Sequence, residues 1–191
     1  IKAGYTDAEL REAGLTKDAI DAARKRLITS TQCSPKALKI AFESGVQAES
    51  LKKEGCSAKA LLEAGYSLED LKNAGYSAKQ LIQAGVDAAD LLKAGFTPSE
   101  LLNAGVTPKE LLAAGVTANQ LAAAGVSASD LLKAGLSAKD LIDAGYSASD
   151  LLKAGVSAKD LIEAGVPITD LMKAGVSAKE LLAAGVSAKE L

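Results

Sequence analysis

Residues 124–136 of this 191-residue chain read AGVSASDLLKAGL, and this stretch holds the local signals that decide the fold. Ser127 is followed three residues later by Asp130, the spacing at which a hydroxyl and a carboxylate cap the start of a helix. Gly135 stands where a helix stops in the left-handed conformation, which a residue without Cβ adopts easily. The stretch therefore predicts one helix of about seven residues between the cap and the glycine.

This unit recurs every ten residues along most of the chain. Fifteen glycines run from Gly45 to Gly185 in steps of ten, and leucine occupies every tenth position from Leu51 to Leu191. The recurrent positions are predicted to be structural: helix-stop glycines (among them Gly115, Gly125 and Gly135), capping hydroxyls (Ser127 and Ser137) and buried leucines (Leu111, Leu131 and Leu141).

The repeated pattern predicts an all-α solenoid with one short helix per repeat. Helices this short are unstable alone, so they must stack on their neighbours. The residue before each cap, the two adjacent leucines and the alanine before glycine are expected to face inward. The second, third and sixth helical positions are expected to face solvent.

A pentapeptide-like β-helix is the alternative, because ten residues equal two pentapeptides. That fold needs a small or apolar residue two places before each inward leucine. Lys139 stands two places before Leu141, and it would have to enter a narrow core. The helical interpretation is therefore favoured.

Three segments are predicted from where the spacing changes. Residues 1–14 hold two regular repeats, residues 46–191 hold a regular array, and residues 15–45 form an irregular joint. In the joint one lengthened helix is expected from Thr16 through Leu27. A second is expected from Ser34 to Ser44, with Phe42 on its apolar face. The absence of an initial Met and the abrupt end suggest a fragment of a longer array.

Composition argues against several classes of function. The chain has no His, and its net charge of −2 argues against nucleic acid as a partner. Residues 111–129 carry no charge, but two glycines in stop positions interrupt them, so membrane insertion is not expected. We expect no catalytic residues, no metal, no cofactor and no enzymatic activity.

Cys33 and Cys56 both stand in the apolar position before a cap. Stacked helices lie about 8–10 Å apart, whereas bridged Cα atoms need less than about 7 Å. Two small buried thiols are therefore expected, although an oxidising compartment would permit a disulfide.

The run A-G-[VYF]-[ST]-[AP]-K-[DE]-L-L-x resembles the decapeptide-repeat region of the DotG (IcmE) family, core-complex components of Dot/Icm type IVB secretion systems in Legionella-like bacteria. The resemblance covers nearly all of the chain and is weakest over residues 15–45. It implies a place in the bacterial cell envelope, in the periplasm, with other core subunits or copies of the same chain as partners. It carries over no functional site.

Two functions follow as hypotheses. The first is a structural spacer in an envelope-spanning secretion complex, because near-identical units make length matter more than any one side chain. The alternative is a solenoid that binds another protein through its varied outward positions.

Overall fold

The computed structural model describes residues 7–20, 22–23 and 33–191, and in this part of the chain the regular structure is helical, with no strand. Residues 17–20 and 22–23 are helical, and sixteen further helices have defined bounds. These helices are Asp7–Glu12, Pro35–Glu43, Ala48–Lys53, Ala58–Ala64, Leu68–Asn73, Ala78–Gln83, Ala88–Lys93, Pro98–Asn103, Pro108–Ala113, Ala118–Ala123, Ala128–Lys133, Ala138–Asp143, Ala148–Lys153, Ala158–Glu163, Ile168–Lys173 and Ala178–Ala183. The all-α prediction is confirmed, and the β-helix alternative is wrong for the described residues.

Most of the helices in the regular array have six residues, one fewer than the pattern predicted. The helix Ala128–Lys133 has six residues, and the following alanine, Ala134, is its C-cap. At 1.5 Å per residue, such a helix is only about 9 Å long. So short a helix has few backbone hydrogen bonds of its own, and its stability depends on both caps and on its neighbours.

The chain divides into two compact units, Ile1–Phe96 and Thr97–Leu191, at a point the sequence pattern does not mark. Within each unit, a helix packs mainly on the helix two repeats further along. In the first unit Ala58–Ala64 contacts Ala78–Gln83, and in the second Ala128–Lys133 contacts Ala148–Lys153. The stacking period is therefore 20 residues, so two repeats form one turn of the stack. Alternate repeats form two columns of helices within each unit.

The core is a line of leucines at the fourth helical position. Leu111, Leu131 and Leu141 are fully buried, with 0% of their surface exposed. The second leucine of each pair was expected to face inward as well, and this is wrong: Leu132 is half-buried and Leu182 is 48% exposed. Adjacent helical residues point about 100° apart, so only one of the two can face the core directly. The alanine that begins a helix can face the core as well, as Ala128 does with 5% of its surface exposed.

The irregular joint is described in part. The amide of Ala19 donates to Thr16 Oγ1 at 3.3 Å, which agrees with a helix start at Thr16. Residues 24–27 of the lengthened helix expected there lie outside the described residues. The nine-residue helix Pro35–Glu43 has Ser44 as its C-cap and buries Leu38 and Ala41. Phe42 is half exposed, and it meets the ring of Tyr66 edge-on at 5.1 Å between centroids.

Residues 111–129, the uncharged run, are divided among three short helices and the turns between them. In the described residues no helix has the length and apolar character that crossing a membrane requires.

Candidate functional site

The recurrent structural element is the two-residue link between the C-cap of one helix and the N-cap of the next, and it begins with a glycine. Gly135 has φ of 104°, its amide donates to the carbonyl of Leu132 at 3.0 Å, and the amide of Leu136 donates to that of Leu131 at 3.1 Å. These two bonds are the Schellman pattern that closes a helix at a left-handed residue. Gly115 and Gly125 have φ of 92° and 83° and close their helices in the same way.

The second residue of the link serves two helices. Leu136 closes the helix before it through its amide, and it directly precedes Ser137, the N-cap of the next helix. Only Gly135 and Leu136 stand between the C-cap Ala134 and the N-cap Ser137. The closing bonds of one helix and the opening cap of the next therefore lie on adjacent residues.

Capping boxes open half of the sixteen helices with defined bounds. The Ser137 hydroxyl accepts from the amide of Asp140 at 3.2 Å, and Asp140 Oδ2 accepts from the Ser137 amide at 2.8 Å. The same hydroxyl donates to Asp140 Oδ2 at 2.6 Å. Complete boxes of this kind stand at Ser67, Ser77, Thr97, Thr107, Thr117, Ser137, Ser147 and Ser177.

Some caps deviate from this pattern. At Ser127 the hydroxyl accepts from the Asp130 amide at 3.1 Å and donates to its carboxylate at 2.7 Å, without the return bond to the Ser127 amide that completes a box. Ser34 was predicted to cap a helix, but its side chain makes no capping bond. Gln47 and Pro167 also lack one, as the sequence indicated.

Several of the carboxylates at the helix starts have lowered pKa values. The hydroxyls of Ser137 and Ser147, and then their backbone amides, hold the pKa values of Asp140 and Asp150 below the usual value of 3.8. The Thr107 and Ser177 caps lower the pKa values of Glu110 and Glu180 in the same way. These side chains are thus charged at neutral pH, and their interactions with the caps stabilise the helix starts.

Tyrosines connect successive turns of the stack. Tyr66 donates its hydroxyl hydrogen to the carbonyl of Val46 at 2.7 Å, and Tyr76 donates to that of Cys56 at 2.6 Å. Tyr146 makes the same bond to the carbonyl of Val126. Burial raises the pKa of Tyr76. The ten-residue pattern places these tyrosines directly before a cap but does not predict the bonds, because it does not contain the 20-residue period that brings donor and acceptor together.

Two lysines form a second kind of contact between turns. Lys52 donates to the carbonyl of Gly75 and lies 5.1 Å from the centre of the Tyr76 ring. Lys72 donates to the carbonyl of Gly95 and lies 5.0 Å from the ring of Phe96. Both lysines occupy the position of the second leucine, and each aromatic residue stands 24 residues further on.

The same 24-residue offset relates the other aromatic residues to their partners. Phe42 contacts Tyr66 at this offset, and Tyr146 stands 24 residues after Ala122, the smallest residue found at its position. Each described aromatic residue before a cap is therefore matched to a phenylalanine, a lysine or an alanine in place of leucine.

Cys33 and Cys56 form a disulfide, with Cα atoms 5.3 Å apart. The expectation of two unbonded thiols is wrong, because it assumed that residues in stacked repeats keep the distance between helix axes. Both cysteines precede a cap, and that is where links of successive turns approach most closely, as the Tyr76 bond to the carbonyl of Cys56 also shows. Cys33 has φ of 54°, which places the irregular segment in the turn that this contact needs.

Shallow grooves recur between turns. One groove in the second unit is lined by Tyr146, Ala148, Val166 and Ala174. The neighbouring groove, lined by Val156, Ala158, Val176 and Ala184, repeats it ten residues further along. These two grooves of the second unit therefore follow the ten-residue repeat. The described residues contain no group of three or more potential metal ligands.

A family model described as "Decapeptide repeat region" matches residues 45–118, 78–147 and 135–191. Together these overlapping matches cover the regular array from residue 45 to residue 191. No curated protein and no solved structure gives a significant match.

Proposed function

The chain belongs to the decapeptide-repeat family, and from this membership we propose that it is a structural spacer in the core complex of a Dot/Icm type IVB secretion system. It lies in the periplasm, where its partners are other core subunits or copies of itself. It has no catalytic role.

The closed repeat is the observation that carries this proposal. Most of the described helices have a side-chain cap at the start and a glycine closing the end, and within each unit each turn stacks on the next at an offset of 20 residues. The number of repeats therefore sets the length of the segment. A spacer needs this property, whereas an enzyme needs a few side chains in unlike environments, such as two carboxyl groups whose pKa values are pushed apart. The capping carboxylates with shifted pKa values are all shifted downward.

The disulfide supports the proposed compartment. Disulfides form and persist in oxidising compartments such as the periplasm and are rare in the cytosol. The bond between Cys33 and Cys56 ties the irregular segment to the regular array at the first turn after it.

In-frame deletions in the bacterium that makes the chain test the proposal. Removing residues 137–156 deletes two repeats, which is one full stacking period, and should leave effector translocation largely intact. Removing only residues 137–141 deletes half a repeat and puts Ile142, from the end of a helix, where the N-cap Ser137 stood. Translocation should then be lost. If the two deletions have the same effect on translocation, the spacer role is contradicted.

The recurrent grooves favour a second candidate, a solenoid that binds another protein along its length. In that case point changes on the outward positions of one groove, such as Lys159→Glu, should abolish capture of a specific partner. A spacer tolerates the same change, so the pair of experiments separates the two functions.

A further inference from the structure

Between residues 128 and 173 the charges at the helix ends alternate with the stacking period, whereas the other helices of the second unit end in asparagine or alanine. Three helices of one column end in lysine: Ala128–Lys133, Ala148–Lys153 and Ile168–Lys173. We call these the Lys-ended column. Two stacked helices of the other column end in an acid, Ala138–Asp143 and Ala158–Glu163, and form the acid-ended column. Over these five helices the sequence pattern repeats every ten residues, but the charge at the helix end repeats every twenty.

The charges of the Lys-ended column suit their own helices. Asp130 stands in the first turn and Lys133 in the last, with 3.5 Å between their charged atoms, and Asp170 and Lys173 repeat this pair at 3.1 Å. Acid at the start and base at the end both favour the helix dipole. Helix stability alone explains this arrangement.

The charges of the acid-ended column oppose their helices. Asp143 and Glu163 stand at helix ends, where a negative charge is unfavourable. Their lysine partners, Lys139 and Lys159, precede them by four residues at 3.9 Å, which is the less favourable order for such a pair. A lysine at the end, as in the alternate repeats, would serve these helices better. The stability of the repeat therefore does not explain the alternation.

We propose that the acid-ended column docks against the Lys-ended column of a second copy of this chain. This inference rests on the proposed spacer function, which allows several copies to lie side by side. When two copies run in the same direction, lysines at helix ends face acids at helix ends, and first-turn aspartates face Lys139 and Lys159. Pairing of like columns would instead bring lysine against lysine.

The geometry of the two columns makes the match repeat along the chain. Both columns share the 20-residue period, so one correct pair places the next pair in register. The side chains are exposed to a neighbouring chain, since Lys133 is 74% exposed and Asp143 is 67% exposed. The contact joins two different surfaces, and such head-to-tail contacts build rings or open arrays.

Sedimentation velocity of the full chain, at ionic strengths of about 20 mM and about 500 mM, tests this docking. The wild type should associate at low salt and dissociate at high salt. One variant makes both columns acidic (Lys133→Glu, Lys153→Glu, Lys173→Glu), and another makes both columns basic (Asp143→Lys, Glu163→Lys). Each alone should raise the dissociation constant at least about tenfold. An equimolar mixture of the two should associate again, because it restores opposite charges.

A matched control changes the net charge by the same amount as the acidic variant, but outside both columns (Lys36→Glu, Lys39→Glu, Lys79→Glu). It should associate as the wild type does, and circular dichroism should show equal helix content in all variants. A wild-type chain that stays monomeric at low salt, or a mixture that fails to associate, overturns the docking. Neither result bears on translocation by the deletion variants, so the spacer proposal stands or fails separately.

Discussion

At the scale of single residues, the two adjacent leucines of a repeat have different roles. Leu111 has 0% exposure, whereas Leu112 is half-buried. We expect Leu111→Ala to lower the free energy of unfolding by about 2–5 kcal/mol, since it leaves a cavity in the packed stack. Leu112→Ala should cost less than half as much. Urea unfolding followed by circular dichroism measures both, and equal losses would contradict the assigned core.

The helix-stop glycine offers a second contrast between neighbours. Gly115 has φ of 92°, and a Cβ added there would meet no atom within 4 Å, so only the backbone opposes substitution. Gly115→Val should therefore cost at least about 1–2 kcal/mol, the penalty of the left-handed conformation. Ala113→Val, on the exposed side of the preceding helix, should cost at most about 0.7 kcal/mol.

Asparagine tolerates the left-handed region better than valine. The melting temperature of Gly115→Asn should therefore lie between those of Gly115→Val and Ala113→Val. If Gly115→Val and Ala113→Val melt at the same temperature, the glycine does not close the helix as described.

At the scale of the element, the caps predict a pH dependence. The bonds from Ser147 hold the pKa of Asp150 below its ordinary value of 3.8. A carboxylate with a lowered pKa in the folded chain stabilises it at pH values above its ordinary pKa. That stabilisation is lost as the pH falls through the lowered value. Stability should accordingly fall in acid below about pH 4.

Ser147→Ala should raise the pKa of Asp150 toward 3.8, as measured by NMR titration of its carboxyl carbon. Ser149→Ala, two residues away in the same helix, is the control and should leave this pKa unchanged. An unchanged pKa in Ser147→Ala would mean that the hydroxyl does not cap the helix in solution.

Element type was predictable because its signals are local. The serine, the acid three residues later and the glycine each restrict the backbone within one turn, so the helix starts and stops follow from the sequence. The burial of Leu132 was not predictable in this way, because it depends on which neighbouring helix lies above it. The bonds of Tyr66 and Lys52 were missed for the same reason, as their partners lie 20 and 23 residues away.

At the scale of the whole molecule, the two units differ in the number of side-chain contacts that join one turn of the stack to the next. Residues 33–96 contain the disulfide, the bonds of Tyr66 and Tyr76 and the two lysine–aromatic contacts. Residues 97–191 contain one contact of these kinds, that of Tyr146. In the described residues, the register between turns is thus fixed by unique pairs mainly in the first unit. The division after Phe96 was not predictable, since the ten-residue pattern continues through it.

The disulfide should stabilise the first unit locally. It closes a segment with a sequence separation of 23, for which the entropic model gives about 2–4 kcal/mol. In Cys33→Ala/Cys56→Ala, hydrogen exchange should speed up for amides within residues 33–76 and stay unchanged beyond residue 97. Uniform faster exchange over all described residues would show that the bond does not act locally.

The central claim is that turns stack with a period of 20 residues. Nuclear Overhauser spectroscopy of the isotope-labelled chain tests it most directly, at the contact between Tyr146 and the link at Val126. We predict cross peaks from the Tyr146 ring protons to protons of Val126. A Tyr146 ring that shows cross peaks within its own repeat but none to residue 126 or its neighbours would contradict the stacking.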